Sequence, residues 1–91
     1  MMNDINCGAF TSYHKEIPKE ILEFFYQTTK DIVGVGYDPI SYATQVVAGT
    51  NYSFFCNAKP VYPHAIEYAV LIEIYRPLKG EPHITKIIKV H

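Results

Sequence analysis

The sequence has only two cysteines, no excess of charge of one sign and no long hydrophobic run, and each absence excludes a class of protein. The formal net charge is -1, and lysine and arginine are interspersed with acidic residues rather than gathered in the basic stripe that binds nucleic acid. No apolar run approaches the length that spans a membrane. We therefore expect neither nucleic acid nor a membrane as a partner.

The two cysteines, Cys7 and Cys56, are too few and too far apart for a disulfide framework. We expect two reduced thiols, although a single bridge between them is compatible with the sequence. Cys56 falls in a predicted strand interior, where a free cysteine usually packs as a small hydrophobe. A nucleophilic Cys–His pair stays open, because such partners meet in space rather than along the chain.

The four histidines are scattered singly, so the ligand spacing of a metal site is absent and no metal or other cofactor is expected. No acid–base pair or phosphate-binding loop is recognisable either, so we expect no catalytic residues and no enzyme. A chain of this length supports one core, and it contains no repeat or linker. The sequence predicts a single domain over residues 1–91, of a size that favours a binding module.

The first six residues lack the basic and apolar regions of a secretory signal peptide. The expected location is therefore cytoplasmic, although a secreted chain whose signal had been removed would look the same. Residues 1 to about 11 carry little periodic pattern and are predicted to form an extended N-terminal arm.

One amphipathic helix is predicted within residues 18–33, with Pro18 suited to the first turn and Gly34 to the stop. The residues at helical spacing on its apolar side are Ile21, Leu22, Phe25, Thr29 and Ile32. Beyond residue 36, β-branched and aromatic residues predominate and predict strands at about 37–47, 50–59, 65–76 and 83–90.

Alternation assigns the inner faces of the second and third strands. The predicted inward residues are Tyr52, Phe54, Cys56 and Ala58, followed by Ile66, Tyr68, Val70, Ile72 and Ile74. Ser53 falls on the opposite face. Together the elements predict an α+β fold in which one N-terminal helix is wrapped by a four-stranded antiparallel β-sheet.

Residues 43–56, ATQVVAGTNYSFFC, carry the most specific motif of the chain. They resemble the cystatin superfamily, and in particular the stefins, whose first binding hairpin has Gln-Val-Val-Ala-Gly followed by Thr-Asn-Tyr. The resemblance extends to Gly8, at the place of the family's N-terminal glycine, and to Pro77-Leu78-Lys79-Gly80, at the place of its second hairpin. It implies a cystatin-like fold.

The resemblance also implies a function, namely reversible inhibition of papain-like cysteine proteases by a wedge that occludes the active-site cleft without chemistry. The protease-binding residues that it implies are Gly8, Gln45, Val46, Val47, Ala48, Gly49, Pro77 and Leu78. Gly49 is suited to a turn with positive φ, and Gln45 is expected to hydrogen-bond backbone across that turn.

Two departures from the family pattern leave an alternative open. The arm has Gly8-Ala9 where cystatins often carry two glycines, and the second hairpin has no tryptophan. In this alternative, the chain is a cystatin-fold interaction module that binds another protein without inhibiting a protease. We expect a monomer, with a domain-swapped dimer as the alternative if the hairpin opens at residues 46–49.

Overall fold

A computed structural model describes residues 8–90. It contains one helix, α1 (Lys19–Thr29), followed by four strands, β1 (Val35–Val47), β2 (Gly49–Pro60), β3 (Tyr68–Arg76) and β4 (His83–Lys89). The strands pair antiparallel in chain order, β1-β2-β3-β4. The prediction of an α+β fold with one helix and a four-stranded antiparallel sheet is confirmed. Cys7 and its expected thiol state lie outside the described residues.

Helix α1 begins after Pro18, which lies just before the helix with an extended backbone (φ −57°, ψ 151°). The helix ends at Thr29, earlier than the apolar pattern suggested, and Ile32 follows in the exit from the helix, where its N–H bonds the Thr29 carbonyl at 3.1 Å. The Thr28 and Thr29 hydroxyls donate to carbonyls four residues back, an arrangement typical of weak helix formers. Within residues 8–90 no helix is long and apolar enough to cross a bilayer.

Aromatic side chains join the helix to one face of the sheet. Phe25 is fully buried with its ring 4.7 Å from that of Phe54, and Phe24 packs on Tyr52 at the same centroid distance. The other buried residues of this core are Cys56, Ala58, Val70, Ile72 and Ile74. The predicted inner faces of β2 and β3 are thus confirmed over these positions.

The prediction that Ile66 faces the core is wrong, since its side chain is 83% exposed. Strand β3 begins only at Tyr68, which pairs with Ala58 of β2. In this register Ile66 would have to pair with Pro60, and proline has no N–H to extend the ladder. The alternating pattern therefore extends two residues before the start of β3, to a position whose partner in β2 would be Pro60.

The N-terminal arm extends to His14, beyond the predicted residue 11, and runs along the free edge of β1. Three of its N–H groups donate to β1 carbonyls, Gly8 to Val46 at 3.1 Å, Thr11 to Thr44 at 2.8 Å and His14 to Tyr42 at 2.8 Å. The Tyr13 hydroxyl lies 2.6 Å from Oγ of Ser53, on the sheet face opposite the helix. Ser53, which the Tyr13 hydroxyl contacts, is only 2% exposed, and the strand pattern did not predict this burial.

Candidate functional site

All eight residues implied by the resemblance lie at one end of the sheet, which we call the hairpin end. The β1–β2 turn is there because β1 stops at Val47 and β2 starts at Gly49. The β3–β4 connection is beside it because Arg76, the last residue of β3, pairs with Thr50. The arm reaches the same end through the bond from Gly8 to the Val46 carbonyl. The three chain segments lie in the order arm, β1–β2 turn (residues 46–49, the first turn) and β3–β4 connection (residues 77–82, the second connection).

Gly49 is required by the geometry of the first turn. Its φ is +110°, within the region that favours glycine. A Cβ at this position would lie 2.5 Å from the Arg76 carbonyl oxygen and 3.1 Å from Cα of Pro77. The first turn therefore rests directly on the backbone where β3 passes into the second connection.

Tyr75 holds the first turn from the side. Its hydroxyl donates a hydrogen bond to the Ala48 carbonyl, and its ring packs edge-on against His83 with centroids 5.8 Å apart. Sequence reasoning missed this residue. The available signal was a tyrosine near the end of a strand and on its outward face, where core packing does not explain an aromatic ring.

Gln45 joins the two strands below the turn. Asn51 donates from Nδ2 to Oε1 of Gln45 at 2.8 Å, and the two residues are direct partners in the β1–β2 register. The expectation that Gln45 bonds backbone across the turn is wrong in its partner, which is a side chain. Polar side chains of directly paired residues lie close together on one face of a sheet and can hydrogen-bond each other. Gln45 therefore bonds Asn51 rather than the backbone of the turn.

The eight residues of the hairpin end present uncharged, partly apolar surface to solvent, next to the exposed Arg76 and Lys79. Val46 is 66% exposed and Leu78 is 81% exposed, whereas Val47 and Pro77 are half-buried. Residues 45–49 carry no charge. Such a surface is suited to binding by burial of apolar side chains in a partner's cleft.

Cys56 is not available as a nucleophile. Its side chain is fully buried in the core, and Sγ donates to the Phe54 carbonyl at 3.6 Å. Burial, with a smaller effect of the negative charge of Asp38, raises the pKa of the Cys56 thiol to about 12. Because the thiolate is the reactive form, this thiol stays protonated and inert at neutral pH. Among residues 8–90 no three His, Cys, Asp or Glu side chains are grouped to hold a metal ion.

A cleft of about 700 Å³ lies at the opposite end of the sheet, between the end of α1 and the start of β1. Three of the residues around it are Tyr26, Tyr37 and Val61. Burial raises the pKa of both tyrosines above the ordinary value, at which a phenol is already neutral at physiological pH. None of the eight residues of the hairpin end contributes to this cleft.

No protein-family model, curated protein or solved structure matches the chain significantly.

Proposed function

We propose that this protein is a cystatin-like, reversible inhibitor of papain-like cysteine proteases, and that it acts by occluding the active-site cleft. One observation carries the proposal. The sequence Gln-Val-Val-Ala-Gly-Thr-Asn-Tyr spans the β1–β2 turn, and both the arm and the second connection lie beside that turn. This arrangement supports the assignment of the three segments to one wedge.

The exposed apolar side chains supply the binding free energy of such a wedge. Complete burial of a valine or leucine side chain contributes about 1.5–3 kcal/mol, and Val46 and Leu78 are both mostly exposed in the free protein. The turn loses little conformational freedom on binding because it is already held by paired strands. Since Gly49 curves the chain there, the turn offers no extended peptide bond to the protease nucleophile.

Gly8 and the pair Pro77-Leu78 are proposed as the flanking contacts. A Cβ on Gly8 would meet nothing nearer than the Val46 carbonyl oxygen at 3.9 Å, an ordinary contact. Glycine is therefore not needed at this position for the fold. A requirement for glycine here would arise from the close approach of the protease.

Inhibition of papain tests the proposal directly. The expected result is competitive inhibition that is relieved on dilution, with the inhibitor recovered uncleaved by mass spectrometry. Absence of inhibition at high concentration, by a sample that circular dichroism reports as folded, would overturn the proposal.

Two exposed valines provide a matched pair of variants. Val46→Asp places a charge on the proposed wedge, whereas Val61→Asp changes a valine that is 75% exposed at the opposite end of the sheet. We expect the inhibition constant to rise by at least about tenfold for Val46→Asp, because an apolar contact is lost and a charge is buried. Val61→Asp should inhibit like the wild type, with both variants melting near the wild-type temperature. Equal potency of the two variants would contradict the assignment of the hairpin end.

The second connection supports one alternative function. Its sequence Pro77-Leu78-Lys79-Gly80 resembles the cystatin family less closely than the first turn does, and Leu78 is its most exposed large apolar residue. A cystatin-fold interaction module would use the same end to bind a protein that is not a protease. Affinity capture that returns one specific partner and no cysteine protease, together with a negative papain assay, would favour this alternative.

A further inference from the structure

Two carbonyl groups of the first turn are bound by chain segments outside the β1–β2 hairpin. The Val46 carbonyl accepts from the Gly8 N–H of the arm at 3.1 Å. The Ala48 carbonyl accepts from the Tyr75 hydroxyl of β3. The turn is thus tied on one side to the arm and on the other to the strand that leads into the second connection.

We infer that Tyr75 is a positioning residue of the wedge, which holds the first turn at a fixed angle to the second connection through the Ala48 carbonyl. This inference rests on the proposed function, because it assigns Tyr75 a role in inhibition without contact to the protease. The backbone contact between Gly49 and Arg76 fixes how near the two segments lie, and the hydroxyl of Tyr75 fixes their orientation.

Loss of this hydrogen bond would change the orientation of the first turn in the inhibitor before it binds the protease. Ala48 is exposed, so its carbonyl would bond water instead and the turn would sample other orientations. Only the fraction of molecules with the correct orientation binds, and the apparent affinity falls in proportion to that fraction. The loss should therefore appear mainly as slower association.

Tyr75→Phe removes the hydroxyl and keeps the ring that packs on His83. The matched control is Tyr68→Phe, at the other end of the same strand, where the ring lies 5.1 Å from Nζ of Lys89. Inhibition of papain, association and dissociation rates, and amide hydrogen exchange are measured for both variants and the wild type.

For Tyr75→Phe we expect the inhibition constant to rise about threefold to tenfold, the effect of losing one hydrogen bond. The dissociation rate should change less than about twofold, and amides of residues 46–50 should exchange faster while those of α1 keep their wild-type rates. The control should behave as the wild type in all three measurements.

Wild-type exchange at residues 46–50 in Tyr75→Phe would overturn the inference, whatever the inhibition constant. So would a loss of affinity that lies entirely in faster dissociation, since Tyr75 would then contact the protease directly. If the wild type itself does not inhibit papain, the proposed function fails. The exchange experiment still tests the hydrogen bond in that case, so the two failures are distinguishable.

Discussion

Gly49 and Gly34 both have positive φ, +110° and +91°, but their surroundings differ. A Cβ on Gly34 would meet no atom within 4 Å, whereas a Cβ on Gly49 would collide with backbone of β3. We expect Gly34→Ala to lose about 1–3 kcal/mol of unfolding free energy from backbone strain alone. Gly49→Ala should lose more, because the strand end must also move, and it should weaken inhibition as well. Urea unfolding checks this, and equal losses for the two variants would contradict the contact at Gly49.

Burial of Cys56 makes the free energy of unfolding depend on pH. The thiol pKa is about 12 in the folded protein and 9.0 when unperturbed, so above pH 9 the unfolded chain releases a proton that the folded protein retains. This favours unfolding progressively between pH 9 and pH 12, by about 1.4 kcal/mol at pH 10. We expect Cys56→Ala to be less stable than wild type at pH 7.5, with the difference reduced by about that amount at pH 10. Urea titrations at both pH values measure it, and a difference independent of pH would contradict it.

The N-terminal arm is hydrogen-bonded to strand β2 through the hydroxyls of Tyr13 and Ser53. Tyr13→Phe should lower the unfolding free energy by about 1–3 kcal/mol, because it leaves the buried Ser53 hydroxyl without its partner. Ser53→Ala should cost less, and the double variant should resemble Ser53→Ala alone. Urea unfolding of all four proteins forms a double-mutant cycle. Additive losses would show that the two hydroxyls do not interact in solution.

The helix and the strands show how far the sequence could predict this fold. Helical spacing around Phe25 and alternation around Phe54 identified α1 and the inner sheet face, since both patterns record burial against a single surface. The hydrogen bonds of Tyr13 and Tyr75 link residues 40 and 27 positions apart, and no periodicity records such pairs. α1 ends early at two threonines whose hydroxyls bond backbone, and β3 starts late opposite Pro60, and a hydrophobic pattern detects neither feature.

For the molecule as a whole, the two edges of the sheet differ. The arm covers the edge of β1 from Tyr42 to Val46, whereas β4 forms the other edge with nearly all its residues exposed. Lys86 and Lys89 lie on β4, and lysines on an edge strand disfavour pairing with another chain. The two lysines therefore disfavour association through this edge, where Ile87 and Ile88 are also partly exposed. We expect a monomer, with exchange of α1 and β1 through the hairpin as the alternative.

That exchange requires residues 46–49 to straighten, which breaks the bond between Tyr75 and Ala48 and removes the first turn. We expect the protein to elute as a monomer and to form a dimer when a concentrated sample is warmed close to its unfolding transition. The monomer should inhibit papain and the dimer should not, with inhibition restored after complete unfolding and refolding at low concentration. Size-exclusion chromatography with an assay of each fraction measures this, and an unwarmed sample is the control. A dimer with full inhibition per chain would show that the turn survives association, so exchange through residues 46–49 would be excluded.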